Sequence, residues 1–159
     1  MGSEMCIRDR SAATPIPHHS ELLQWPAMLV IRTDFSDQRI WEAVRTTIEE
    51  PDETSYMYPP EFWDRSTYED ISVEGILSRL PKAIEDPFVA VVDHTTIASA
   101  EMPILIVGLS KSNGQYGRTF RIIPRELPSI EVNLSLANMD FFEFADSADG
   151  DGVFRGFSS

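Results

Sequence analysis

The order of apolar and polar residues predicts a strand followed by a helix near the start of the chain. A short apolar run at residues 28–31 has the pattern of a buried strand. In the stretch SDQRIWEAVRTTIEEP that follows, the apolar residues recur at helical spacing: Ile40, Trp41, Val44 and Ile48. Ser36 stands where a capping residue is expected, Asp37 adds negative charge to the first turn, and Pro51 ends the helix.

Two stretches in the middle of the chain predict less regular structure. TSYMYPPEFWDRSTYED is aromatic and rich in proline, which favours an edge strand or an ordered loop because proline lacks the N–H that a central strand needs. SVEGILSRLP is typical of a short helix that Ser72 caps and Pro81 ends.

The later part of the chain predicts the centre of a sheet, a hairpin and a terminal helical region. PFVAVVD and MPILIVGLS are continuous apolar runs, as in strands covered on both faces. KSNGQYG is a hairpin-type connection, so RTFRIIP should return antiparallel to the strand before it. IEVNLSLANMDFFEFADSA predicts two helical pieces, the second capped by Asn138 with Asp140 in its first turn.

Together these elements predict an α+β protein with a mixed central sheet of about five strands and helices packed on it. A chain of 159 residues with 42% hydrophobic residues is the size and composition of one globular domain. We expect that domain to cover residues 25–157. We interpret residues 11–24 as a flexible lead-in, and residues 1–10, MGSEMCIRDR, resemble translated sequencing-adaptor DNA.

The balance of charge narrows the classes of partner. The chain has 26 acidic and 13 basic residues, a formal net charge of −13. This charge repels the phosphates of nucleic acids and of anionic lipids, so we expect no nucleic-acid partner and no membrane partner. A basic protein is the kind of partner that an acidic surface favours.

Several chemistries lack the residues or the spacing they require. The single cysteine, Cys6, lies in the adaptor-like leader, so the domain itself has no thiol for a disulfide, a metal site or a nucleophile. No phosphate-binding loop and no dinucleotide motif occurs, and we therefore predict no cofactor. DSADGDG has aspartates spaced as in a calcium loop, but Ser158 stands where the bidentate glutamate is needed, so a polar turn is the better interpretation.

Carboxylates at strand ends are the candidate metal ligands. Asp34 and Asp37 follow the first predicted strand, and Asp93, with His94 after it, follows FVAVV. If these strands are parallel neighbours, Asp34 and Asp93 meet at the carboxyl edge of the sheet, where α/β ligand sites lie, and their oxygens would suit Mg²⁺. The alternative is that these residues only cap helices and form turns.

Aromatic residues interleaved with acidic ones form a second candidate site. Tyr58, Trp63 and Tyr68 stand near Glu61 and Asp64, and aromatic side chains are enriched at protein interfaces. The alternative is that they form a lid on the core.

Four stretches, RTDFSD, RTFRIIP, NLSLANMDFFEFAD and DGVFRGF, resemble an uncharacterised bacterial family that is common in actinobacteria and is known as a domain of unknown function. The resemblance covers about residues 28–157. It implies a single domain in a cytoplasmic setting and brings no activity, cofactor or partner. Phe142 departs from the family pattern, which has a second acidic residue there, so Glu143 is not assigned to a paired-carboxylate site.

These observations support two hypotheses of function. The first is a non-enzymatic acidic module that binds or regulates a protein, of which neutralising a basic toxin in the manner of an immunity protein is one form. The second is a metal-dependent hydrolase that uses Asp34, Asp37 and Asp93. The C-terminal apolar residues, including Phe141, Phe144 and Phe154, further predict that the tail folds back onto the core.

Overall fold

The computed structural model describes residues 28–50, 56–80, 86–111 and 114–157. Within these ranges the fold is α+β, as predicted, with one sheet of six strands and five helices. The strands are β1 Met28–Arg32, β2 Pro60–Trp63, β3 Phe88–Val92, β4 Ile104–Gly108, β5 Thr119–Ile122 and β6 Val153–Phe154. The helices are α1 Gln38–Glu49, α2 Val73–Arg79, α3 His94–Ala98, α4 Leu127–Ser135 and α5 Phe141–Ala145. The adaptor-like leader and the lead-in lie outside the described residues.

The strands lie in the order β2-β1-β3-β4-β5-β6. β1 is parallel to β2 and to β3, β4 is antiparallel to both of its neighbours, and β6 is parallel to β5. Five strands therefore end at the same edge, which we call the carboxyl edge, and β4 begins there. The two apolar runs predicted as the sheet centre, β3 and β4, are adjacent central strands, and the proline-rich stretch supplies the edge strand β2.

Both faces of the sheet are covered, which explains why the central strands are apolar apart from Arg32 at the end of β1. All five residues of β1 and all five of β3 are buried, and successive side chains point to opposite faces. One face packs against α1, α4 and α5, and the other packs against α2 and the 3₁₀ helix Ser66–Tyr68. The sheet is thus the middle of three layers.

Two helices begin one or two residues later than predicted. Asp37, and not Ser36, is the N-cap of α1, where its carboxylate accepts a hydrogen bond from the Ile40 N–H. The Ser36 hydroxyl is unavailable because it donates to Asp34. Asp140, and not Asn138, precedes α5, because the N–H of Asn138 donates to the carbonyl of Asn133 in the turn that ends α4.

The C-terminal segment packs onto the core, as predicted. Phe154 in β6 is fully buried, and its ring meets that of Phe144 edge-on with centroids 5.3 Å apart. The Phe157 ring lies 4.9 Å from that of Phe154, although half of this residue remains exposed. β6, a strand of two residues, was not predicted from the sequence because it is too short to show alternation.

We expect the substitution Phe154→Ala to lower the free energy of unfolding by about 3–5 kcal/mol, because it leaves a cavity between β5 and α5. Chemical denaturation followed by circular dichroism measures this loss. The matched variant Phe157→Ala removes a half-exposed ring, so its cost should be about 1 kcal/mol. Equal losses in the two variants would contradict the assigned roles of these side chains.

Candidate functional site

The predicted candidate residues after β1 and β3 emerge side by side at the carboxyl edge. Arg32 is paired in register with Val92, and the N–H of Thr33 donates to the Val92 carbonyl at 2.9 Å. This parallel pairing brings Asp34 and His94 into contact, because each follows the end of its own strand.

Asp34 connects the loop after β1 to the start of α3. One carboxylate oxygen lies 3.0 Å from His94 Nδ1, and the other accepts hydrogen bonds from the N–H and the hydroxyl of Ser36. Burial raises the pKa of Asp34, but the bonds from Ser36 and the contact with His94 outweigh burial and lower it overall. The Asp34 side chain is 9% exposed and that of His94 is 81% exposed, so a fixed carboxylate orients a solvent-facing imidazole.

This order of contacts differs from that of a serine hydrolase. In a catalytic triad the histidine lies between the serine and the aspartate, and takes the proton of the serine. Here Asp34 lies between Ser36 and His94. Ser36 is therefore bonded to an acceptor that fixes it, and not to a base that would activate it.

The other two predicted metal ligands hold structural contacts. Asp37 caps α1. Asp93 caps α3 through Thr96 and also pairs with Arg121, whose two terminal nitrogens lie 2.9 and 2.7 Å from the two carboxylate oxygens. Burial raises the pKa of Asp93, but Arg121 and Thr96 outweigh it and lower the pKa. Within the described residues no three histidine, cysteine or acidic side chains are grouped so that they could hold a metal ion, and the metal site remains a prediction.

A row of side-chain pairs, each between a basic residue and a carboxylate, runs along the carboxyl edge from β2 to β6. Each pair joins residues at or next to the ends of different strands. The pairs are Arg32 with Asp64, His94 with Asp34, Arg121 with Asp93, and Arg155 with Glu101. The arginines of this edge are thereby committed to carboxylates of the same chain.

Arg32 is the most deeply buried member of this row. Its side chain is 4% exposed, and its guanidinium lies 4.2 Å from the centroid of the Phe35 ring and 4.9 Å from that of Trp41. Besides Asp64 it donates to the carbonyl of Asp34. A buried cation with these contacts holds the loop after β1 against α1.

Of the predicted partner-binding aromatics, two lie in the core. Trp63 and Tyr68 are 6% and 3% exposed, and their rings stack with centroids 6.5 Å apart. The Trp63 indole N–H donates to Glu61. Tyr58 is half-buried, and its N–H donates to Glu131. The structure thus gives Trp63 and Tyr68 a packing role, while partner binding at the three residues remains a prediction.

A buried carboxylate at the opposite edge was missed from the sequence. Glu131 of α4 is 2% exposed and accepts hydrogen bonds from the N–H groups of Met57 and Tyr58, at 2.7 and 3.1 Å. Burial raises its pKa, and these bonds offset burial only in part. The helical spacing did contain a signal, because Glu131 lies four residues after Leu127 and three before Leu134, both of which are buried.

Glu131 also affects two neighbouring titratable groups. Burial and then the charge of Glu131 raise the pKa of Asp86 to about 6. The same two causes raise the pKa of Tyr56, whose hydroxyl donates to the Ile48 carbonyl at 2.8 Å. At this edge of the sheet, opposite the carboxyl edge, burial therefore disfavours the charged forms of two carboxylates, Glu131 and Asp86.

Acidic residues are concentrated in a third region, residues 140–151, which we call the C-terminal acidic segment. It contains five carboxylates and no lysine or arginine. Two of them, Asp149 and Asp151, bind Arg155 together with Glu101, at N–O distances of 2.6 to 2.8 Å. The aspartates considered as calcium ligands thus surround a guanidinium, whose hydrogen bonds lower the pKa of Glu101 and of Asp151.

The fold and these contacts define a single-sheet α+β protein with an acidic surface. The chain belongs to the family described as Domain of unknown function (DUF6924), whose model matches residues 27–157. No curated protein matches the chain. None of the helices in the described ranges is long and apolar enough to cross a membrane.

The raised pKa of Asp86 predicts a dependence of stability on pH. Its ordinary pKa is 3.8 and its pKa in the fold is about 6, so between these values the folded protein binds a proton that the unfolded chain has released. This group's contribution to stability therefore falls as the pH rises from about 4 to about 6. We expect Asp86→Asn, which cannot ionise, to gain stability relative to the unsubstituted protein over this range.

Urea unfolding at a series of pH values measures the effect. The control Glu42→Gln removes an exposed carboxylate of α1 and measures how much the loss of one negative charge changes stability by itself. An Asp86→Asn stability curve that runs parallel to the curve of the unsubstituted protein would show that the pKa of Asp86 is not raised.

Proposed function

We propose that the domain is a bacterial, cytoplasmic, non-enzymatic module that binds or regulates a basic protein. The observation that carries this proposal is the unbalanced acidic surface, above all the C-terminal acidic segment with its five carboxylates and no basic residue. A surface of one sign attracts partners of the opposite sign and accelerates their association.

The arrangement of the arginines supports the proposal. Arg32, Arg121 and Arg155 each bind carboxylates of the same chain, and Arg118 pairs with Asp146. Arg155 is surrounded by three carboxylates, so this cluster keeps a net negative charge. These four arginines are thus engaged with carboxylates of the same chain, and the carboxylates of the C-terminal acidic segment are exposed.

Neutralising a basic toxin is one form that this function would take. Complexes of that kind combine a charged surface, which speeds the encounter, with a few apolar contacts that slow dissociation. A rigid domain with a sheet covered on both faces would hold its acidic groups in place for such a contact.

We expect affinity capture with the purified domain, from a lysate of the organism that encodes it, to recover a protein with an excess of lysine and arginine. With both proteins purified, the dissociation constant should rise at least about tenfold between low and physiological salt, because charge attraction is screened. A partner that is not basic, or affinity that does not change with salt, would contradict the proposal. So would a substrate that the domain turns over while no partner is captured.

A metal-dependent hydrolase that uses Asp34, Asp37 and Asp93 is a second proposal, and one observation favours it. The contact between Asp34 and His94 leaves an oriented imidazole facing solvent. Histidines that bind metals have their second ring nitrogen held by a carboxylate in this way.

Thermal unfolding in the presence of Mg²⁺, Mn²⁺ or Zn²⁺ tests this second proposal. A metal that binds the folded protein raises the melting temperature, and we expect Asp34→Asn to abolish the rise. The variant Glu42→Gln serves as the control for a general effect of charge. A melting temperature that none of the three metals raises would exclude the metal site.

A further inference from the structure

Helix α5 presents an outward face that combines an aromatic ring with carboxylates. Phe141 and Phe144, three residues apart, are 3% and 0% exposed and face the core. Helical spacing turns Phe142, Glu143 and Asp146 away from them, and all three are exposed. We call these three residues the α5 surface.

Phe142 is one of the few exposed large apolar side chains. Among the described residues five large apolar side chains are exposed, and three of these lie in the last 24 residues: Leu136, Phe142 and Phe157. Phe157 also packs against α5, because its ring lies 5.4 Å from that of Phe144. Aromatic side chains are over-represented among the residues that contribute most to binding at protein interfaces, so an exposed ring beside carboxylates is a candidate anchor.

The charges around Phe142 determine which partner would fit. Asp146 is already paired with Arg118, whereas the Glu143 carboxylate is exposed and, within the described residues, accepts a hydrogen bond from the N–H of Asp140. Asp140 adds a second carboxylate at the start of the helix. A cationic side chain could therefore contact the Phe142 ring with its apolar stem and a carboxylate with its charged end.

We propose that the α5 surface is the site at which the domain contacts its basic partner, with Phe142 as the apolar anchor and Glu143 as the charged contact. This inference rests on the proposed function and adds the surface and the chemistry of the partner. The partner segment should carry arginine or lysine next to aliphatic side chains, because charge alone would not use the ring.

Tyr116 offers a matched control for the anchor. It is exposed to a similar degree, 43% against 38% for Phe142, but its ring lies 5.0 Å from the ammonium of Lys111. It is therefore an exposed aromatic residue in a basic setting, which a cationic partner should avoid. Glu42 on α1 is the corresponding control for the charge, since it is exposed on a different helix.

Two synthetic peptides serve as probes, one of alternating arginine and leucine and one that contains the same number of arginines without leucine. We expect Phe142→Ala to weaken binding of the arginine–leucine peptide about tenfold or more and to weaken binding of the oligo-arginine peptide much less, because leucine packs on the ring more closely than an arginine stem does. Glu143→Gln should weaken both peptides, while its amide oxygen still accepts the bond from the Asp140 N–H. Tyr116→Ala and Glu42→Gln should bind like the unsubstituted protein. Isothermal titration calorimetry at fixed salt measures all of these affinities.

The outcomes separate this inference from the proposed function. If the arginine–leucine peptide binds and Phe142→Ala has no larger effect than Tyr116→Ala, the α5 surface is not the contact site, although the domain still binds cationic partners. If neither peptide binds, the inference and the proposed function both fail. Equal melting temperatures of the variants confirm that each is folded. We expect this result because the Phe142 and Glu143 side chains are exposed.

Discussion

β1 pairs in parallel with both β2 and β3, and this pairing dictates the layers of the fold. Parallel strands need long crossover connections, and here these connections supply α1 on one face and α2 on the other. Covering both faces buries all of β1 and β3, which are apolar apart from Arg32 at the end of β1. The same pairing brings the loops after β1 and β3 to one edge, where Asp34 meets His94.

At the carboxyl edge, the arginine side chains bind carboxylates of the same chain. Polar side chains at the strand ends pair with one another across the strands, and four such pairs lie along the edge from β2 to β6. Most of these pairs are partly shielded from solvent, but the imidazole of His94 is open. The His94 imidazole is both oriented by Asp34 and accessible to solvent, and for that reason the metal hypothesis depends on it.

The charge of the molecule is distributed unevenly between its interior contacts and its surface. Glu131 and Asp86 are disfavoured as anions in partly or fully buried positions, whereas the C-terminal acidic segment faces solvent. A carboxylate that fixes the backbone, such as Glu131, contributes to the fold. Carboxylates that remain exposed contribute instead to the electrostatic field around the molecule.

The class of the fold, the centre of the sheet and the return of the C-terminal tail to the core could all be predicted from the sequence. These follow from local periodicity, because buried strands and amphipathic helices need apolar residues at fixed spacings. The N-caps were predicted to within two residues: Asp37 caps α1 where Ser36 was expected, and Asp140 precedes α5 where Asn138 was expected. Several neighbouring residues at such positions have side chains that can cap a helix.

Which charged and aromatic residues are accessible depends on contacts that form only when the chain folds. The pairing of Asp93 with Arg121, the burial of Trp63 and the contact of Asp34 with His94 join positions far apart in the chain. Such contacts depend on strand order and on which face a side chain takes, and local spacing does not encode either of them. The polar residues at the strand ends could thus be predicted from the sequence, whereas the packing of the sheet determined which side chain each of them contacts.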